Sequence, residues 1–141
     1  MNIQAFLSRR QCLVLGAASL PAEPDWAPLT YTFGGIWEIQ PAMLEECIAG
    51  HRAGDFQVID VREPAEFADD LGRITGARSI PLSGLSGRLN EIDRTRPVVT
   101  VCRSGARSAQ AVVLLQKSGF TDVANLAGGM LRWRTEVARS D

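Results

Sequence analysis

Short apolar runs alternate with amphipathic stretches through most of the chain, beginning at Ile36. The runs that predict β-strands span residues 36–39, 56–61, 77–80 and 97–101. We expect the first of them to be a short edge strand. Strands that alternate with helices at close spacing are typical of a parallel sheet with crossover helices. The pattern therefore predicts an α/β fold.

Two amphipathic stretches lie between these strands. Pro41 opens a predicted helix that ends at Gly50, and its apolar residues share one face, which makes Cys47 a core residue. A second stripe, Leu82, Leu85, Leu89 and Ile92, predicts a structural helix after the strand at 77–80.

The first 35 residues differ from the rest and are interpreted as an N-terminal arm and linker ahead of a domain over 36–141. Arg9 and Arg10 precede a short apolar stretch and small residues up to Ala22, which outlines a twin-arginine export signal. The alternative is an uncleaved arm. We expect a cytoplasmic protein, with periplasmic export as the alternative. No apolar run approaches the ~20 residues that span a bilayer.

Composition and net charge argue against several classes of function. The 141 residues fit one domain, and a formal net charge of -1 gives no overall attraction to nucleic acid or to an anionic membrane. Three cysteines do not form a disulfide framework. Cys47 and His51 could share a helix face, but no further pair completes a metal site. We therefore predict no metal and no cofactor.

The most informative segment follows the strand at 97–101. Cys102 comes directly after this strand, and a glycine-containing loop leads into a helix that reaches Lys117. Backbone N–H groups at such a helix start form an anion-binding concavity, which favours a thiolate at Cys102. No acidic residue lies between Pro97 and Thr121, so the sequence predicts that Arg103, Arg107 and Lys117 concentrate positive charge around the cysteine. The alternative is an inert buried thiol.

Loop length separates the possible anions. Phosphatases of the H-C-x5-R type place an arginine six residues after the cysteine, whereas Arg107 follows Cys102 by five and Val101 replaces the histidine. The loop Cys102-Arg103-Ser104-Gly105-Ala106-Arg107-Ser108 instead resembles the C-R-x-G-x-R-S active loop of rhodanese-type sulfurtransferases. The shorter loop suits a smaller group, a single persulfide sulfur.

Three further segments resemble the same family. Residues 60–67 resemble its D-x-R-E-x-x-E-[FY] segment, residues 76–82 its G-A-x-x-I-P-L segment, and residues 125–133 its L-x-G-G-x-x-x-W segment. Arg73 stands where the family usually has a histidine. The resemblance covers about residues 36–138 and implies one rhodanese-like domain. Its sheet would have about five mainly parallel strands with helices on both faces. Similar modules are also fused to metallo-β-lactamase-type persulfide dioxygenases.

The resemblance implies transfer of a sulfane sulfur in two displacements. The Cys102 thiolate would attack the outer sulfur of thiosulfate or a related persulfide donor, and the resulting persulfide would pass its sulfur to cyanide or a thiol. Arg103 would bind the anionic end of thiosulfate. The substrate-binding loop residues under this interpretation are Arg103, Ser104, Gly105, Ala106, Arg107 and Ser108. Ser104 and Ser108 would be hydroxyl donors, and Gly105 would allow a positive φ or close backbone approach.

Several alternatives remain open. Asp60 and Arg62, at the carboxyl end of a strand, are candidates to support the loop, or they form a structural pair. Gly128 and Gly129 are interpreted as a tight turn, and Trp133 as core. The chain could instead be a persulfide carrier or interaction module that a protein partner supplies with sulfur. A phosphatase or arsenate-reductase relative is a third possibility, which the loop length disfavours.

Overall fold

The computed structural model describes residues 26–32, 34–50 and 55–137. Within them, the strands are β1 (Thr30–Tyr31), β2 (Trp37–Ile39), β3 (Gln57–Asp60), β4 (Arg78–Ser79), β5 (Val98–Val101) and β6 (Val123–Leu126). The α-helices are α1 (Pro41–Ala49), α2 (Leu82–Leu85), α3 (Ala106–Lys117) and α4 (Gly129–Glu136), and two 3₁₀ helices span Pro64–Ala68 and Leu89–Glu91.

The strands form one mainly parallel sheet in the order β1-β2-β6-β5-β3-β4. Only the pairing of β1 with β2 is antiparallel. All residues of β3, β5 and β6 are buried, because the three strands lie side by side in the middle of the sheet and are covered on both faces. The structure confirms the predicted α/β fold with a mainly parallel sheet.

The amino-terminal edge of the sheet differs from the prediction. The strand predicted at 36–39 is not an edge strand, because Thr30 and Tyr31 pair outside it. Ala27 is buried in the core that covers one face of the sheet. The folded part of the chain therefore begins before Ile36. The segment that resembles an export signal, residues 1–22, lies outside the described residues.

Two apolar clusters cover the two faces of the sheet. On one face, α1 and α4 contribute Leu44, Cys47, Met130 and Trp133. On the other, α2 and α3 contribute Leu85, Ala111, Val112 and Leu115. Neighbouring strand residues alternate between the clusters, as the twofold period of a strand requires. Cys47 and Trp133 are therefore core residues, as the sequence predicts.

The helix predicted over 82–92 is not continuous. It is divided into α2 and the 3₁₀ helix Leu89–Glu91. Gly84 and Gly87 lie in this region, and glycine costs about 1 kcal/mol relative to alanine in a helix interior. Leu85 and Ile92 are still buried. The apolar pattern thus identified core residues, although the element that carries them is different.

The parallel register places the carboxyl ends of the central strands side by side. Asp60 at the end of β3 is the register partner of Val101 at the end of β5, and Thr100 is the partner of Asn125 in β6. Cys102, one residue past β5, lies at this edge. None of the helices in the described part of the chain has the length and apolar character that crossing a bilayer requires.

Candidate active site

Cys102 is buried in the turn between β5 and α3, where the residue is 1% exposed. The backbone N–H of Gly105 donates to its Sγ at 3.0 Å, and the Ser108 Oγ lies 3.2 Å from the same sulfur. Gly105 caps α3 with φ 103°, the left-handed region that the sequence predicts for it. This conformation accompanies an amide that faces the sulfur, so a backbone donor and the start of α3 lie together at Cys102.

The first turn of α4 holds the other side of the loop. The Met130 N–H donates to the Cys102 carbonyl at 2.8 Å, and the Leu131 N–H donates to the Arg103 carbonyl at 3.0 Å. A Cβ atom on Gly129 would lie 2.5 Å from the Cys102 oxygen. Gly129 therefore allows close approach of α4 to the loop, in addition to the turn that the sequence predicts at this position.

Arg107 is paired with a carboxylate that is not among the site residues predicted from the sequence. Its two terminal nitrogens donate to both oxygens of Glu66, at 2.5 and 2.7 Å. The Arg107 hydrogen bond is the main reason that the pKa of Glu66 falls from 4.5 to about 2. In turn, the pKa of Arg107 is raised, first by the hydrogen bond to Glu66 and further by the charges of Glu66 and Cys102.

Arg103 extends from the loop into solvent, with 52% of its side chain exposed, and its Nη1 lies 3.4 Å from the Asp69 carboxylate. The prediction of concentrated positive charge around Cys102 is therefore wrong. The fold brings Glu66 and Asp69 to the two arginines from a distant part of the sequence. Lys117 is at the opposite end of α3, roughly 16 Å along a helix of twelve residues.

The remaining loop residues lie at the mouth or beneath it. Ser104 and Ala106 are exposed, whereas Ser108 is fully buried in the first turn of α3. The Thr100 hydroxyl donates to the Ser108 carbonyl at 2.9 Å. The loop thus has an exposed outer rim and a buried polar floor.

Asp60 and Arg62 form a buried ion pair. Arg62 is fully buried, its Nη2 donates to Asp60 Oδ2 at 2.7 Å, and the same nitrogen donates to the Gly72 carbonyl at 2.8 Å. The guanidinium also packs over the Phe67 ring at 4.7 Å. The structure places this pair beside the segment that carries Glu66, and the positive charge of Arg62 contributes to the lowered pKa of Glu66. The pair therefore lies next to the 3₁₀ helix whose Glu66 binds Arg107 of the loop.

A buried polar chain lies behind the loop. Ser108 Oγ is 2.5 Å from Asn125 Oδ1, and Asn125 Nδ2 donates to Glu38 Oε2 at 2.9 Å and to the Gly105 carbonyl at 3.1 Å. Glu38 and Asn125 are absent from the site residues that the sequence predicts. Glu38 lies opposite Asn125 only because β2 pairs with β6, and this pairing has no local sequence signal.

The described residues contain no candidate metal site. Among them, no three His, Cys, Asp or Glu side chains lie together in a way that could hold a metal ion. Cys47 is buried in the apolar core, and His51 lies outside the described residues.

Comparison with known proteins adds an independent line of evidence. The sequence matches the rhodanese-like domain family over residues 43–136. It is 48% identical over 93 residues to the uncharacterized protein YqhL of Bacillus subtilis, covering 66% of this chain and 71% of that protein. It is 43% identical over 79 residues to a protein named sulfurtransferase from Allochromatium vinosum, covering 56% of this chain and 72% of that protein.

A solved structure of a related protein has a similar fold. The crystal structure of a rhodanese-related protein from Thermoplasma volcanium superposes with a TM-score of 0.62 at 32% identity, covering 71% of this chain and 92% of that one. The family match spans more than half of the chain and includes the Cys102 loop. The chain belongs to the rhodanese-like domain family.

Proposed function

We propose that this protein is a sulfurtransferase that carries a sulfane sulfur as a persulfide on Cys102. The observation that carries the proposal is the buried Cys102 sulfur, which accepts the Gly105 N–H at 3.0 Å at the start of α3. Such a site stabilises a sulfur anion through fixed backbone donors and the helix dipole. The membership of the chain in the rhodanese-like family supports the same chemistry.

The proposed reaction has two displacements. The Cys102 thiolate attacks the outer sulfur of thiosulfate, a new S–S bond forms, and sulfite leaves with the electron pair of the bond that breaks. Cyanide or a thiolate then attacks the terminal sulfur of the persulfide. The bond between that sulfur and Cys102 breaks, and the Cys102 thiolate is regenerated. No metal or redox cofactor takes part in either step.

Different loop residues stabilise the charge on the Cys102 sulfur and bind the substrate. Gly105 donates its amide to the sulfur, and Ser108 offers a hydroxyl next to it. Arg107, held by Glu66, closes the side of the loop. Arg103 is exposed and its contact with Asp69 is long, at 3.4 Å, so the guanidinium is free to turn toward the anionic end of thiosulfate.

Thiocyanate formation from thiosulfate and cyanide tests the proposal. We expect turnover by the wild-type protein and none by Cys102→Ser, while Cys47→Ser, which alters a cysteine in the core on α1, keeps the activity. Turnover that persists without Cys102 would refute the proposed nucleophile. Hydrolysis of a phosphate ester in place of sulfur transfer would favour the phosphatase alternative. If small donors fail but a persulfidated protein loads Cys102, the protein is a carrier that a partner supplies.

A further inference from the structure

We propose that Asn125, oriented by Glu38, controls the direction of the Ser108 hydroxyl proton and so positions the hydrogen bond that reaches the Cys102 sulfur. The inference rests on the proposed transfer through Cys102 and adds two positioning residues to it. It is based on the hydrogen-bond donors and acceptors of the buried chain that runs from β2 through β6 to α3.

The orientation of the Asn125 amide follows from its partners. Its nitrogen lies within hydrogen-bond distance of Glu38 Oε2, at 2.9 Å, and of the Gly105 carbonyl, at 3.1 Å. A carboxylate and a carbonyl accept hydrogen bonds and do not donate them. The amide nitrogen must therefore face both of these oxygens, which directs the Asn125 Oδ1 toward Ser108.

The position of the Ser108 proton follows from that orientation. Asn125 Oδ1 carries no hydrogen, yet it lies 2.5 Å from the Ser108 Oγ, so the hydroxyl supplies the proton of this contact. A serine hydroxyl has a single proton. While that proton points to Asn125, Ser108 does not donate it to the Cys102 Sγ, which lies 3.2 Å from the same oxygen and is its alternative acceptor.

A charged sulfur requires the opposite arrangement. A thiolate has no proton to donate, so the Ser108 hydroxyl must turn from Asn125 to Sγ to stabilise it. In the second displacement, negative charge develops on Sγ as its bond to the departing sulfur breaks. Asn125 competes with the sulfur for the same proton at this moment. The balance between the two acceptors sets how strongly Ser108 stabilises the leaving thiolate.

Glu38 strengthens Asn125 in its competition with the Cys102 sulfur for the Ser108 hydroxyl proton. A carboxylate that accepts from the amide nitrogen polarises the amide and increases the electron density on its oxygen. Two arginines lie near this chain. The pKa of Arg107 on α3 is raised first by its hydrogen bond to Glu66 and also by the charge of Cys102. The pKa of Arg132 on α4 is raised first by its hydrogen bond to Glu136 and, to the smallest extent, by the charge of Glu38. Neither arginine contacts the Ser108 hydroxyl.

The test measures the second-order rate of iodoacetamide alkylation of Cys102 across pH, and the rate at which the loaded persulfide is discharged by cyanide. We expect Ser108→Ala to slow discharge by ~10-fold or more, and Ser108→Thr, which keeps a hydroxyl, to restore most of it. Asn125→Leu frees the hydroxyl for the sulfur, so we expect a severalfold faster discharge and a lower pH midpoint of alkylation. Glu38→Gln should act in the same direction with a smaller effect.

A double-substitution cycle separates this role from simple electrostatics. In a Ser108→Ala background, the effect of Glu38→Gln that passes through the hydroxyl must vanish. Glu91→Gln removes the same charge from two ion pairs, with Arg78 and Arg88, outside the loop and serves as the matched control. If Asn125→Leu does not fold, as judged by thermal unfolding, the cycle with Glu38→Gln decides alone.

Two results would overturn the inference. One is an Asn125→Leu variant that folds but discharges as slowly as Ser108→Ala. The other is a Glu38→Gln effect of equal size with and without Ser108. Failure of the proposed function is distinguishable, because Cys102 would then take up no sulfur in the wild-type protein, while the alkylation midpoints would still report the hydroxyl.

Discussion

Replacing Glu66 by glutamine tests how the fold secures the active loop. Glutamine keeps the shape of the side chain and removes the charge that Arg107 binds with two hydrogen bonds. Because Glu66 is on the 3₁₀ helix Pro64–Ala68 and Arg107 is on α3, the pair joins two distant parts of the chain. We expect Glu66→Gln to lower the stability of the protein at neutral pH.

The size of the loss follows from the Glu66 pKa. The decrease from 4.5 to about 2 sets an upper limit of about 3 kcal/mol on the contribution of the ionised carboxylate at pH 7. The pair is partly open to water, with 26% of the Glu66 side chain exposed, so we discount this limit to about 1 kcal/mol. Because the folded-state pKa is the lower one, the contribution is complete above about pH 5 and is lost as the pH falls toward 2.

Urea unfolding of wild-type and Glu66→Gln protein at pH 7 and at pH 3 measures this difference. We expect a loss of about 1 kcal/mol at pH 7 and a clearly smaller loss at pH 3. Glu91→Gln, which removes the same charge from the two ion pairs with the more exposed Arg88 and Arg78, serves as the control and should change stability less. A Glu66→Gln loss that is absent at pH 7, or equally large at pH 3, would refute the linkage reasoning.

Three further predictions concern the support and the rim of the loop. Gly129→Ala should destabilise the protein by roughly 2–3 kcal/mol in urea unfolding, because its Cβ would clash with the Cys102 carbonyl; an unchanged midpoint would contradict this contact. Asp60→Asn should cost about 3–5 kcal/mol, since it leaves the buried Arg62 charge uncompensated, and a loss below 1 kcal/mol would mean that water or another group compensates it. Arg103→Ala should raise the KM for thiosulfate by ~10-fold with little change in kcat. The control replaces an exposed arginine on α4, and an equal change in KM in both variants would exclude a binding role for Arg103.

The sequence predicted the parts of the site that are contiguous in the chain. Cys102, Gly105 and Ser108 lie in one strand–loop–helix segment, and the positive φ of Gly105 and its N–H contact with the Cys102 sulfur agree with that local pattern. The parallel sheet followed in the same way, because buried strands such as β5 are nearly continuous apolar runs.

The residues that the prediction missed come from other parts of the chain. Glu66 lies 41 residues before its partner Arg107, and Glu38 lies 87 residues before Asn125. Charge counted along a window of sequence could not include them, which is why the loop was predicted to be more positive than it is. The contact of Gly129 with the Cys102 carbonyl likewise depends on how α4 packs against the loop.

The helix predicted over 82–92 shows the limit of an apolar stripe. Periodic burial is shared by a regular helix and by a helix followed by a 3₁₀ turn, since both place Leu85 and Ile92 toward the same core. Gly84 and Gly87 in this segment lower its helix propensity and so favour the interrupted structure. Similarly, β1 pairs with the outer side of β2 through backbone hydrogen bonds. A strand of two residues is too short to have a sequence pattern that predicts this pairing.

The mass of the intact protein after incubation with thiosulfate, before and after addition of cyanide, tests the proposed persulfide most directly. We expect the wild-type protein to gain the mass of one sulfur atom and to lose it to cyanide as thiocyanate, while Cys102→Ser gains nothing. Sulfur that loads equally onto Cys102→Ser, or a loaded sulfur that cyanide does not remove, would contradict a sulfane sulfur carried on Cys102.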